Sequence, residues 1–117
     1  MTKKLMGIIF FMVLATSLLQ AHAPKKNELN FDRQALSLKV KTLHKVGNVK
    51  NHHVKSIVVQ LNGQSIASQS FAEQQNEEFQ EWEFKFGPEV SLPKGAELTV
   101  ISTCNIIGRK KTTITLE

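Results

Sequence analysis

Short stretches in which apolar and polar residues alternate constrain the fold of this 117-residue chain more than any other feature. Residues 35–40 and 82–86 alternate in this way, and residues 54–61 are rich in β-branched side chains. A period of two is typical of half-buried β-strands, and no helical period extends beyond a few residues. Asn62-Gly63, directly after residues 54–61, is a strong signal for a tight β-hairpin.

About seven strands separated by turn signals can be placed along the chain. They are expected at residues 28–31, 35–40, 54–61, 64–71, 82–86, 98–104 and 111–116. This pattern predicts an all-β fold, an immunoglobulin-like antiparallel β-sandwich of about seven strands. Trp82, Phe84 and Phe86 share one face of their strand and are expected to pack in the core. The polar residues 73–78 are expected to form a solvated loop.

The N-terminal residues have the composition of a secretory signal. Two lysines precede an apolar run, residues 5–19, which is long enough for a signal core but short for a membrane span. Cleavage after Ala23 would place Pro24 at the scissile bond, where a tertiary amide is a poor substrate. Cleavage after Ala21 avoids this, and an uncleaved anchor is the alternative.

We therefore predict a signal peptide at residues 1–21 and a single domain at residues 22–117, exported to the periplasm or the extracellular space. The signal peptide contains two lysines and no acidic residue, so its removal lowers the net charge from +5 to +3. A net positive charge this small gives no indication of nucleic-acid binding, and the chain has no stripe of basic residues interleaved with aromatic ones. No membrane span is expected after cleavage, and the sequence does not fix the oligomeric state.

Cys104 is the only cysteine of a chain predicted to be exported, a setting in which cysteines are normally paired. It therefore indicates an intermolecular bridge, a reactive thiol or a metal ligand. His22 starts the predicted mature domain, His44 ends a strand, His52 and His53 open the next strand, and Cys104 ends a late one. A sandwich can gather such strand ends, and imidazole with thiolate suits iron, zinc or copper rather than calcium or magnesium. The alternative interpretation is that Cys104 is a buried apolar side chain and the histidines are ordinary core or surface residues.

Four segments of the chain, taken together, resemble the motifs of one known family. Residues 52–59 are similar to a strand that opens with an iron-ligating histidine, and His44 is similar to the histidine of a His-Pro loop. Residues 104–108 (CNIIG) resemble the motif Cys-Asn-Ile/Leu-His-Gly, whose cysteine is an axial thiolate. Residues 22–24 resemble the end of Glu-Lys-His-x-Pro. These are motifs of the superoxide reductases, that is, neelaredoxins and the iron domain of desulfoferrodoxins, and the resemblance covers nearly all of residues 22–117.

The resemblance implies a mononuclear non-haem iron whose ligands are His22, His44, His52 and Cys104. It also implies reduction of superoxide to hydrogen peroxide, with electrons from a donor protein. Copper and zinc are alternatives for the metal. His53 stands where the family often has an aromatic residue, and it is expected to pack or to face solvent.

The chain also departs from the family pattern. Ile107 stands where the family has a fourth histidine, Lys45 stands where a proline is usual, the following loop is two residues longer, and the Glu-Lys pair is absent. These departures indicate a divergent, exported branch. They leave open a non-catalytic copper or zinc carrier and a metal-free interaction domain. Lys45 and Lys50 are candidates for positive charge near the site, with plain solvated lysines as the alternative.

Cleavage after Ala21 would give His22 a free α-amine beside its imidazole. This amine could take the coordination position left by the missing histidine, or act as a nearby cation.

Overall fold

The computed structural model describes residues 23–117, so the predicted signal peptide and His22 lie outside the described residues. Residues 23–117 form seven strands and no helix, and accordingly contain no helix suited to crossing a membrane. The strands are β1 (Lys26–Asp32), β2 (Ser37–Leu43), β3 (Val54–Leu61), β4 (Gln64–Ser70), β5 (Phe79–Lys85), β6 (Glu97–Cys104) and β7 (Arg109–Thr115).

The strands form two antiparallel sheets, which confirms the predicted β-sandwich. One sheet has the order β1-β2-β5 and the other the order β4-β3-β6-β7. The predicted hairpin is also confirmed, because Asn62 and Gly63 both have positive φ, 49° and 85°. That backbone matches the twist of the flanking strands β3 and β4.

The predicted start of the second strand was wrong by two residues. Ala35 and Leu36 lie in the turn between β1 and β2. The Oδ1 atom of Asp32 accepts hydrogen bonds from the backbone N–H groups of Gln34 and Ala35, at 3.0 and 3.1 Å. Leu36 then adopts a φ of 50°, and β2 begins at Ser37. Local capping by an aspartate overrides the apolar alternation here.

The hydrophobic core lies between the two sheets. Its fully buried members include Leu38 from β2, Ile57 and Val59 from β3, and Leu98 and Val100 from β6. Residues i and i+2 of a strand point to the same face, so each strand buries alternate side chains. As predicted, the aromatic residues of the β5 region contribute to the core: Phe86 belongs to this cluster, and the partly buried Trp82 and Phe84 pack against it.

A buried polar network joins the two sheets beside β1 and β7. The Oδ1 atom of Asn27 accepts hydrogen bonds of 2.8 Å from the hydroxyls of Thr42 and Ser102. Its Nδ2 atom donates to the carbonyl of Lys110 at 3.0 Å. Asn27 is 3% exposed, so these bonds replace water that the amide has lost.

Strand pairing brings the chemically interesting residues to one end of the sandwich. Val54, at the start of β3, pairs with Cys104, at the end of β6, in an antiparallel register. The end of β2 lies at the same end of the molecule, because the Gln74 side chain contacts both His44, which follows β2, and the backbone N–H of Val54, which begins β3.

Candidate metal centre

Three of the four predicted ligands lie together at this end of the sandwich. One ligand atom from each of His44, His52 and Cys104 falls within 4.8 Å of the other two. In a tetrahedral site with metal–nitrogen bonds of about 2.0–2.1 Å and a metal–sulfur bond of about 2.3 Å, neighbouring ligand atoms lie roughly 3.3–3.6 Å apart. The ligand atoms of the cluster would therefore move together by up to about 1.5 Å to bind one ion, and the two imidazoles and the thiol suit a transition metal.

His44 follows the last residue of β2 and is 1% exposed. Its backbone N–H donates to the carbonyl of Glu78 at 2.9 Å, which ties it to the segment before β5. Its Nδ1 atom lies 2.8 Å from the Oε1 atom of Gln74. His44 is thus held at both its backbone and its ring.

His52 is positioned by a turn built on Asn48. The Oδ1 atom of Asn48 faces the backbone N–H groups of Lys50 and Asn51, at 3.0 and 3.3 Å. The carbonyl of Asn48 accepts a 2.9 Å hydrogen bond from the N–H of His52. Asparagine favours such turns because its short side chain can bond to the backbone two or three residues ahead. The turn directs the loop back to β3, where the rings of His44 and His52 meet edge to face with centroids 4.6 Å apart.

Cys104 is 3% exposed and ends β6. Its Sγ atom accepts a hydrogen bond from the backbone N–H of Ile106 at 3.4 Å. Its own N–H donates to the carbonyl of Gly108 at 3.0 Å, which closes the turn. Gly108 has a φ of 94°, a conformation that glycine adopts without steric cost.

Asn105 connects the Cys104 turn to the loop that carries His52. Its Oδ1 atom accepts from the backbone N–H of His53 at 2.8 Å, and its Nδ2 atom donates to the carbonyl of Asn51 at 2.9 Å. The backbone N–H of Asn105 also donates to the carbonyl of His53 at 3.0 Å. These three bonds flank His52 on both sides and fix its distance from Cys104.

Ile107 and His53, which both differ from the superoxide reductase motifs, differ in their exposure to solvent. Ile107, at the position of the missing histidine, is 47% exposed on the turn that follows Cys104. His53 is 9% exposed and therefore packs inside, one of the two placements expected for it. Among the described residues, its Nδ1 atom has no hydrogen-bond partner.

The described chain begins beside the same site. A Cβ atom built on Gly108 would lie 2.8 Å from the Cβ of Ala23, so only glycine allows this close approach. An open cleft of about 660 Å³ adjoins the site; the described residues that line it are Ala23, Pro24, Lys25, Leu43, His44, Lys45 and Glu78. Lys45 is thus at the cleft, whereas Lys50 is exposed on the loop and does not line it.

The expectation of a solvated loop at residues 73–78 was wrong for Gln74. This side chain is 2% exposed and lies between the two histidine-bearing segments. A glutamine within a polar run gives no periodic signal, so only the tertiary structure identifies it. Asn105 belongs to the motif at residues 104–108, but its bonds to His53 and Asn51, more than fifty positions away, are visible only in the structure.

Comparison with known proteins shows the fold. No family model and no curated protein matches the chain. A solved structure of a variant superoxide reductase (neelaredoxin) from Ignicoccus hospitalis aligns with a TM-score of 0.50 and 22% identity, covering 88% of this chain and 86% of that one. A hypothetical protein from Pyrococcus horikoshii OT3 aligns with a TM-score of 0.54 and 20% identity, covering 80% and 89%. The chain therefore has a superoxide-reductase-like sandwich fold.

Proposed function

We propose that this protein binds one non-haem iron ion through His44, His52 and Cys104 and reduces superoxide to hydrogen peroxide. The clustering of two imidazoles and one thiol within 4.8 Å is the observation that carries this proposal. Iron in such a site supplies one electron, so that superoxide takes up this electron and two protons to give hydrogen peroxide. A donor protein then returns the electron.

The surroundings of the three ligands support a redox site. The N–H of Ile106 directed at the Cys104 sulfur withdraws charge from a thiolate, and such contacts tune the potential of a bound metal. Lys25, Lys45 and one acid, Glu78, line the cleft beside His44, and the net positive charge of these three side chains favours a small anion.

We further propose His22 as the fourth ligand. Ala23, the residue that follows it in sequence, lies against Gly108 in the turn that begins at Cys104. If an exported chain is cleaved after Ala21, the α-amine of His22 supplies a further donor in place of the missing histidine. Intact-mass measurement on the exported protein tests this, and a mature chain that begins at Pro24 would exclude His22 altogether.

A copper or zinc carrier without turnover is the second candidate function. It is favoured by Ile107, which is exposed where the family has a ligand, so the conserved set of four histidines is incomplete. Both metals accept imidazole and thiolate ligands.

Metal content and the visible spectrum of the exported protein distinguish these functions. We expect stoichiometric iron and a thiolate-to-iron charge-transfer band that disappears in Cys104→Ser. His52→Gln should lose the metal, whereas the neighbouring control His53→Gln should retain it, because His53 is not in the cluster. Stoichiometric copper or zinc would support the carrier instead. Absence of any metal, with a freely reactive Cys104, would contradict both proposals and leave an interaction domain.

A further inference from the structure

Gln74 uses its full hydrogen-bonding capacity inside the protein. Its Nε2 atom donates to the carbonyls of His44 and Asn76, at 2.7 and 2.9 Å. Its Oε1 atom accepts from the backbone N–H of Val54 at 3.1 Å and lies 2.8 Å from the Nδ1 atom of His44. Its backbone N–H donates to the carbonyl of Val49 at 3.0 Å. One buried side chain therefore contacts the end of β2 and the start of β3, on either side of the His52 loop.

These partners allow only one orientation of the Gln74 amide. Two of them are backbone carbonyls, which can only accept, and Val54 contributes a backbone N–H, which can only donate. Exchanging the oxygen and nitrogen of the amide would create three repulsive contacts around a side chain that is 2% exposed. Because Oε1 must then be an acceptor toward His44, the ring must carry a proton on Nδ1. In a neutral imidazole this leaves the lone pair on Nε2.

We infer that Gln74 is a positioning residue that holds His44 as the Nδ1–H tautomer, so that Nε2 carries the lone pair with which the ring would bind a metal. The inference deepens the proposed function and rests on it for the metal, but the tautomer itself is a property of the metal-free protein. Metal-ligating histidines generally donate their second N–H to an oxygen acceptor, which fixes the ring and its tautomer. Here the acceptor is a neutral amide instead of a carboxylate, and it is supplied by the loop between β4 and β5.

Nitrogen-15 NMR of the metal-free protein tests the tautomer directly. We expect the His44 ring of the wild type to carry its proton on Nδ1. Gln74→Met preserves the length of the side chain but removes the acceptor, so the two tautomers should become mixed. Gln74→Glu retains the acceptor toward His44 and should keep the Nδ1–H form, although its second oxygen faces the carbonyls of His44 and Asn76 and should lower the stability of the fold. Gln64→Met is the matched control, because Gln64 is exposed at the start of β4, and it should leave the tautomer unchanged.

Metal binding is the second measurement, with cobalt(II) as the probe and competition with a chelator as the assay. We expect Gln74→Met to bind cobalt(II) about 10–100-fold more weakly than the wild type, Gln64→Met to match the wild type, and Gln74→Glu to recover most of the lost affinity. An amide spectrum with native dispersion would show that each variant is folded. If Gln74→Met does not fold, the tautomer of His44 in the wild type still decides the question.

The outcomes separate this inference from the proposed function. A wild-type His44 with its proton on Nε2 would overturn the positioning role, and so would a Gln74→Met variant with unchanged tautomer and unchanged cobalt(II) affinity. A wild type that binds no metal but has the Nδ1–H form, lost in Gln74→Met, would support the positioning role while the proposed metal function fails.

Discussion

Replacing Asn105 with alanine should loosen the connection between the Cys104 turn and the His52 loop. The substitution removes the bonds from its side chain to the N–H of His53 and the carbonyl of Asn51. Each such bond has a net contribution of about 0.5–1.5 kcal/mol, and a part-buried N–H left without a partner adds to the cost. We therefore expect the free energy of unfolding to fall by about 1.5–3 kcal/mol.

Urea unfolding of the metal-free protein, followed by the fluorescence of Trp82, measures this change. Asn51→Ala is the matched control, since its side chain is exposed and its backbone carbonyl remains in place; we expect a change within about 0.5 kcal/mol. Equal stabilities of Asn105→Ala and Asn51→Ala would refute the reasoning. The folded Asn105→Ala variant should also bind metal at least about tenfold more weakly, because His52 is no longer fixed relative to Cys104.

Three further perturbations test the buried network around Asn27, the hairpin at Asn62-Gly63 and the metal. In urea titrations, Asn27→Ala should lower the free energy of unfolding by about 2–4 kcal/mol, because it breaks a buried hydrogen-bond network. The control Asn30→Ala lies on the exposed face of the same strand and should change the free energy of unfolding by less than about 0.5 kcal/mol. Similar losses for the two variants would argue against the network. Gly63→Ala should lower the free energy of unfolding, measured by thermal denaturation, by about 1–2 kcal/mol because Gly63 has a positive φ. Gly47→Ala, also in open space, should leave the free energy of unfolding almost unchanged. An unchanged stability of Gly63→Ala would contradict the turn assignment. Removing the metal with a chelator should lower the Tm of the wild type and leave that of Cys104→Ser unchanged, whereas equal shifts would place the metal elsewhere.

The strands could be predicted from the sequence because alternation reports directly on which face of a sheet is buried. Val54 to Leu61 and the Asn62-Gly63 turn were predicted at their observed bounds, since β-branched residues and a turn dipeptide act locally. The start of β2 was predicted two residues too early, because hydrogen bonds from the turn to Asp32 compete with the apolar alternation.

The candidate site was only partly predictable for a related reason. Histidine and cysteine are rare and chemically distinctive, so His44, His52 and Cys104 attract notice in any sequence. Gln74 and Asn105 are common polar residues, and their roles depend on backbone groups supplied by other segments. Long-range hydrogen bonds of this kind have no sequence period, so only the folded structure reveals them.

The spacing of the three clustered residues along the chain has a consequence for the unfolded state. A metal ion shared by His44 and Cys104 would act as a cross-link that closes a loop of roughly 60 residues. In the chain-entropy treatment used for disulfides, closing a loop of that size removes about 4 kcal/mol of configurational freedom from the denatured ensemble. A chain with one cysteine cannot form an internal disulfide, but an ion held between that thiolate and two imidazoles would impose the same kind of restraint.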